Sequence, residues 1–368
     1  MKIAIDVSQI VYGTGVSVYT RNLVEELIKL NKATGENEYV LFGGSFRQIK
    51  NLKLKIKQSL PLHGKNFQGS YTSGIFPLPP MALDMLWNRL HWLPIESFVG
   101  RVDVYHSSDW AQAPSKAFKV TTIHDFAPFK FERETHPRIV AVHKRRLRWV
   151  RQEVDKIIVP SRATKNDAVR YGFDEKKLVV IAEAAGEEFY RRDKKEVSRV
   201  KSKLGIEGEY VLFVGTAARK NLKRALLAFK KLRQKNKKLV VVGDASHNID
   251  DEKAFFVGRV SDDELAALYS GAALLLYPSL YEGFGLTILE AFSCGCPVVC
   301  SNVSSLPEVA GEAAVLVDPS SIDAIAKGIR KALEGRDSLI KKGHARARLF
   351  SWQTTARETL KVYEEALS

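Results

Sequence analysis

The sequence predicts an α/β protein built from two doubly wound parallel-sheet domains, and three observations predict it. The chain has 368 residues, a length that favours two domains over one or four. Short runs rich in Val, Ile and Leu alternate with amphipathic stretches from end to end, the pattern of parallel strands buried on both faces. The alternation is broken once, by the polar stretch 184–202, which separates two β/α series.

Taken in order, residues 3–7 (IAIDV) read as the first strand and 16–30 as its helix. Strands follow at 38–44, 102–108, 119–125, 156–161 and 177–183. The second series places strands at 210–215, 238–244, 254–258, 272–279, 296–301 and 314–318. Two helix starts are chemically explicit, and a third is expected. Ser261 and Glu264 in SDDE form a capping box, Pro319-Ser320-Ser321 precede the capped amphipathic IDAIAKGIRKAL, and Ser161 is expected to cap the helix after VPS. The domain boundary is placed near residue 186.

Apolar residues make up 45% of the chain and charged residues 27%, which excludes a disordered or collagen-like polypeptide. Cys294, Cys296 and Cys300 are too close together for a disulfide framework and lack the spacing of a metal site. They read as small buried residues in a reducing compartment. The first strand follows Met1 and Lys2 directly, unlike a signal peptide. The most apolar window, 265–277, is interrupted by Ser270 and Gly271 and is too short to cross a bilayer. A soluble, cytoplasmic protein is expected. The formal charge is +15. Residues 1–184 hold 28 Lys and Arg against 18 Asp and Glu, a net of +10, and the remainder nets +5. The excess concentrates at 47–57 and 144–152.

Residues 281–299 (YEGFGLTILEAFSCGCPVV) carry the sharpest chemical signal. A strand ends at Pro278, Glu282-Gly283-Phe284-Gly285 form a loop, and a helix runs from about Leu286 to Ser293. Glycines let backbone approach a ligand, and N–H groups at a helix start attract anions. Glu290 follows Glu282 by eight positions, so two acids can flank a ligand seated on the helix start and accept hydrogen bonds from sugar hydroxyls. The alternative is a Glu that stabilises the helix dipole, with Glu290 exposed. In the segment 213–229, a strand ends at Gly215, and Arg219-Lys220 precede the next helix. Two cations there suit a diphosphate; a solvated basic turn is the alternative. No GxxxxGK[ST] P-loop occurs.

Gly13 and Gly15 follow the first strand without completing GxGxxG, so a dinucleotide site is weakly supported. His124-Asp125 end a strand, where ligands of open α/β sheets gather. No GxSxG elbow exists. DxD is also absent, so no metal is expected and cations with helix dipoles would face the diphosphate instead.

Together these segments resemble retaining nucleotide-sugar glycosyltransferases of glycosyltransferase family 4, the group 1 glycosyltransferases. The family's E-x7-E motif matches Glu282 and Glu290, and its VGT…RKN…LLAF pattern matches residues 214–229. The glycine loop at 13–15, His124-Asp125, and the segments 159–172 and 258–272 match as well, so the resemblance covers nearly the whole chain. It implies an α/β GT-B fold, two Rossmann-like doubly wound parallel-sheet domains facing a cleft. Residues 1–185 would bind the acceptor and 186–351 the donor, with the helix at about 352–368 packing back on the first domain.

By the same resemblance, Glu290 would bond the ribose. Glu282 and the backbone of Gly283, Phe284, Gly285 and Leu286 would hold the donor sugar and its phosphate. Lys220 and Arg219 would neutralise the departing diphosphate, His124 would reach the sugar or phosphate, and Gly15 would offer a backbone N–H. Two positions depart from the family. Thr216 stands where many members carry Arg, which shifts load to Lys220. Glu183-Ala184-Ala185-Gly186 replaces the common N-G-V-D.

The implied reaction is metal-independent transfer of a hexose-type sugar, mannosyl or glucosyl, with retention by front-face substitution. The acceptor would be a glycan or lipid-linked saccharide, and polysaccharide biosynthesis the setting. Alternatives are a GT-B sugar-nucleotide epimerase and a basic non-catalytic protein bound to membrane or nucleic acid. The basic segments lack a nucleic-acid motif, so no nucleic acid is expected as partner. An anionic membrane surface, with peripheral attachment at the inner membrane face, is compatible with the enzyme. Donor base, sugar and acceptor are not readable, the acceptor loops at 59–100 being idiosyncratic.

Overall fold

A computed structural model describes residues 1–13, 15–45, 48–52, 54, 71–232, 237–244 and 252–367. Residues 47, 53 and 55–57 of the basic segment, and residues 59–70 of the expected acceptor loops, lie outside the described residues. The chain divides into two units, Met1–Glu183 with Trp352–Ser368, and Ala184–Ser351.

The first unit is built on strands β1 (Lys2–Asp6), β2 (Glu38–Gly44), β3 (Tyr71–Phe76), β4 (Val104–Ser107), β5 (Phe118–Thr122), β6 (Lys156–Val159) and β7 (Leu178–Val180). Their order is β3-β2-β1-β4-β5-β6-β7, and every pairing is parallel. Helices α1 (Gly15–Thr34), α2 (Pro137–Glu153) and α3 (Arg162–Arg170) are its main crossovers. The second unit has β8 (Glu209–Val214), β9 (Lys237–Val242), β10 (Ala254–Gly258), β11 (Leu274–Tyr277), β12 (Val298–Ser301) and β13 (Val315–Val317). They run in the order β10-β9-β8-β11-β12-β13, again all parallel. Its main helices are α4 (Leu222–Lys231), α5 (Asp262–Gly271), α6 (Leu286–Ser293) and α7 (Ile322–Glu334).

All twelve strands read from the hydrophobic runs are present. The thirteenth, β3, was not read, because YTSGIF carries polar residues and a Gly. It can afford them as the sheet's edge, paired on one side only. The Ser261–Glu264 capping box is formed in both directions. Ser321 accepts from the Ala324 N–H and Ser161 from the Thr164 N–H. The three cysteines are buried free thiols, and burial pushes Cys294 up to about 12. No helix among the described residues is long and apolar enough to cross a membrane.

The last helix, α8 (Trp352–Glu364), belongs to the first unit and packs along α1. The Thr355 hydroxyl donates to the Ala182 carbonyl at 2.7 Å, and Tyr363 pairs with His106 Nδ1 at 2.6 Å. Burial holds the His106 imidazole down to about 3, so it packs as a neutral ring.

Strand order fixes where a ligand can sit. In each sheet the winding reverses once, between β1 and β4 and between β8 and β11. The loops leaving the carboxyl ends of those strands diverge there and leave a crevice.

Candidate functional site

In the second unit the crevice is bordered by the loops after β8 and β11, and a buried ion pair joins them. After Gly215, residues Ala218–Lys220 make a single 3-10 turn before α4. Lys220 Nζ donates to Glu282 Oε1 at 2.7 Å and to the Tyr277 hydroxyl at 2.6 Å. Only 13% of the Lys220 side chain and 8% of the Glu282 side chain is exposed, so each charge depends on the other for solvation. Arg219 Nη2 lies 4.0 Å from Glu282 Oε2, and its carbonyl accepts from the Leu280 N–H. Burial raises the Glu282 carboxyl, but the cations of Lys220 and Arg219 outweigh it and hold it below the usual range. Burial likewise pulls Lys220 down, and Glu282 reverses that, leaving the ammonium more firmly protonated than a free lysine.

Asn221 braces this corner. It adopts φ 68° at the start of α4, is buried, and donates to the carbonyls of Pro278 (3.0 Å) and Pro319 (2.7 Å). One side chain thus ties the loops after β8, β11 and β13 together. Gly215 sits at φ 90°, and a Cβ there would lie 3.2 Å from the Lys220 stem. A Cβ at Gly243, just after β9, would lie 3.1 Å from the Thr216 methyl.

The loop at Glu282 is fixed by backbone as well. The Glu282 N–H donates to Ser304 Oγ at 2.9 Å, and its carbonyl accepts from the hydroxyls of Ser304 and Ser305. Ser305 Oγ also lies 2.6 Å from the Phe284 carbonyl. Phe284 is buried against Phe350, ring centroids 6.0 Å apart, which leaves backbone as what residue 284 can offer a ligand. Gly285 caps α6 at φ 112°, where an added Cβ would meet Leu306 at 2.8 Å. No other residue type fits that position unstrained.

Glu290 lies one turn inside α6 and accepts from the Tyr269 hydroxyl of α5 at 3.0 Å. It is not the exposed acid of the alternative reading. Burial pushes its carboxyl up to about 7; the charges of Asp262 and Glu188 add to this, while the Tyr269 bond and Lys220 oppose it. Among the described residues no group of three His, Cys, Asp or Glu side chains is placed to hold a metal ion.

In the first unit Gly15 is the first residue of α1, with open space where a Cβ would be. His124 follows β5, and its Nδ1 lies 3.0 Å from Glu183 Oε1. It lines a pocket of mixed character, with Asp6, Gln9, Asp109 and Thr122 beside Tyr19 and Leu23, near the β1/β4 reversal. Arg146 of α2 is fully buried there, bonded to Thr121 Oγ1 and the Thr122 carbonyl and paired with Asp109. The structure therefore brings Arg219, Lys220 and Glu282 into contact, sets Glu290 on the neighbouring helix, and carries Gly15 and His124 in the other unit. Tyr277, Asn221, Tyr269, Ser304 and Ser305 were missed. Only Tyr277, at a strand end, and Asn221, beside the two cations, stand in segments where a local signal could have found them.

Comparison with known proteins agrees with this architecture. The family described as glycosyl transferases group 1 matches residues 194–348, and glycosyltransferase family 4 matches residues 13–184. The O-antigen chain mannosyltransferase B of Escherichia coli is 28% identical over 379 residues, covering 95% of this chain and 96% of that protein. The serotype-specific mannosyltransferase WbdA of Escherichia coli is 28% identical over 240 residues, 59% of this chain but 29% of that longer relative. Among solved structures, Anabaena HepE in complex with UDP-glucose superposes with a TM-score of 0.70 at 15% identity, over 99% of this chain and 100% of that one. That likeness is one of fold, the α/β GT-B fold of two parallel-sheet domains.

Glu290 supplies a pH signature. Its folded value of about 7 lies above its ordinary 4.5, so the folded state binds the extra proton. The stability this contributes is complete below about pH 4.5 and is lost as pH rises through about 7. Glu290→Gln should therefore be more stable than wild type at pH 8 by about 1–3 kcal/mol, with the gap closing at pH 5. Urea unfolding at both pH values measures it; an equal gap would contradict the assignment.

Proposed function

The chain belongs to the group 1 glycosyltransferases of family 4, and on that premise we propose that it moves a mannosyl or related hexosyl unit with retention of configuration. The donor is a nucleotide diphosphate sugar and the acceptor a hydroxyl of a glycan or lipid-linked saccharide. The observation that carries the reading is the buried Lys220–Glu282 pair with Arg219 beside it, at the strand-order reversal of the second unit. The mannosyl preference draws on the two Escherichia coli relatives named mannosyltransferases.

In this proposal Lys220 and Arg219 face the diphosphate. Glu282 accepts from sugar hydroxyls, so the partners of the resting pair are replaced by ligand groups of matching charge and polarity. The backbone of Gly283, Phe284, Gly285 and Leu286 donates to sugar and phosphate oxygens, and ionised Glu290 accepts from the ribose. Thr216 lines the nucleotide side. In the first unit, Gly15 offers its N–H and His124 a ring nitrogen to a substrate oxygen. The bond from the anomeric carbon to the diphosphate oxygen breaks, its electron pair leaving with the oxygen. The acceptor oxygen forms the new bond on the same face, and its proton passes to the departing diphosphate. The protein contributes positioning and stabilisation of charge developing on the leaving group. Because two side-chain cations meet that charge, turnover needs no divalent metal.

An anionic membrane surface is proposed as a second partner, on a specific observation. Met81, Met85, Leu90 and Trp92 are 69%, 50%, 62% and 67% exposed, an unusual density of large apolar groups on one short segment. Arg89 pairs with Asp84 of this segment, and Arg148 lies over the Trp149 ring of α2. Arg145 is bonded to Asp84 of this segment, and Trp149 of α2 donates to the Asn88 carbonyl and stacks on His91 at 3.6 Å. Exposed apolar groups on a segment that also carries and contacts arginines suit insertion at an anionic lipid interface.

Two measurements test these readings. Incubation with UDP-, GDP- and ADP-sugars in EDTA, followed by proton NMR of the anomeric signal, should show one donor cleaved with the starting anomer released first. Glu290→Ala should weaken that donor's binding about 100-fold. An inverted first product, or unchanged turnover by Glu290→Ala, contradicts the site. Vesicles of phosphatidylglycerol and phosphatidylcholine should float the wild-type protein at low salt and release it at high salt. Met85→Asp/Trp92→Asp should fail to float, and absence of wild-type flotation at low salt would end the membrane proposal.

A further inference from the structure

The departure from N-G-V-D at residue 183 acquires a role from its contacts. Glu183 is the last residue of the first unit before the chain enters the second. Its side chain is 5% exposed and turns onto His124, Oε1 to Nδ1 at 3.0 Å. The ring is clamped from a second side by Tyr19, edge-on with centroids 4.6 Å apart. The other ring nitrogen, Nε2, is buried and has no hydrogen-bond partner among the described residues. A carboxylate on one imidazole nitrogen decides which nitrogen carries the proton and leaves the other for a ligand. We propose that Glu183 is the positioning residue of His124, holding Nδ1–H and thereby presenting Nε2 to an oxygen of the substrate. This rests on the reading of His124 as a substrate contact.

The charges around the ring favour its protonated form. Burial opposes it, but the Glu183 bond and charge, with Asp109 and Asp125, outweigh burial and raise His124 above its ordinary value. The facing elements bring His106 of β4, Arg146 of α2, Tyr19 of α1 and Asp6 of β1; burial holds His106 neutral and raises both Tyr19 and Asp6. With Glu183 in place Nε2 carries a proton and donates, which suits a phosphate or hydroxyl oxygen. A donor role is present at low pH and is lost as pH rises through the His124 value.

Long-range nitrogen–proton NMR of the full chain, with His124→Gln to assign the signal, reads this without activity. In wild type the His124 Nδ1 should be protonated across the range. In Glu183→Gln, which can still accept the bond, the midpoint should fall by about one pH unit or more, and in Glu183→Ala the preference for Nδ1–H should also disappear. An unchanged midpoint in both variants overturns the inference. Donor turnover separates the two ideas. Glu183→Gln should move the alkaline limb of kcat/KM down by the same shift and add little loss in a His124→Gln background. Full additivity of the two losses overturns the inference. Unchanged turnover by His124→Gln would instead remove the substrate-contact reading, with the NMR titration still deciding whether Glu183 sets the ring.

Discussion

The second unit is organised around one interaction, the buried ion pair between Lys220 and Glu282. Removing two charges from water costs several kcal/mol per ion unless geometry and further hydrogen bonds offset it. The structure supplies both. Tyr277 shares the ammonium, Arg219 adds charge, Ser304 and Ser305 fix the Glu282 backbone, and Asn221 ties the loops that carry the pair to a third. Breaking the pair by removing one partner strands the other, so the same contact that holds the loops also keeps a cation and a carboxylate poised in a crevice.

The first unit solves a parallel problem at the matching position. Arg146 enters fully buried and is met by Asp109, Thr121 and Thr122, while His124 is met by Glu183. In both units the polar groups cluster where strand order reverses, because only there do the loops leave room for a ligand at the carboxyl ends of the strands. Elsewhere the parallel sheets are sealed by helices, and polar groups would be stranded. Fold and site are thus consequences of one topology repeated twice.

Twelve strands were legible because a strand covered on both faces must be apolar along its length. The edge strand Tyr71–Phe76 was not, since one-sided pairing relaxes that demand. Caps at Ser161, Ser261 and Ser321 were legible because capping is a contact within a few residues. Glu282, Glu290, Arg219 and Lys220 were legible as candidates through local spacing on loop-to-helix turns. Their partners were not. Tyr277 to Lys220 spans 57 residues, Asn221 to Pro319 spans 98, and Tyr269 to Glu290 joins two helices. Such contacts depend on strand order, which no local pattern carries. Glu183 was visible only as a departure, and its meaning required the position of β5.

The claim that the Lys220–Glu282 corner is the diphosphate seat is tested most directly by calorimetric titration of wild type and Lys220→Met with a nucleoside diphosphate and with the free nucleoside. The account predicts that Lys220→Met loses about 30-fold or more in diphosphate affinity, the loss of a charge-assisted contact, and changes nucleoside affinity little. Equal diphosphate affinity in a folded Lys220→Met, or an equal loss for both ligands, would contradict it.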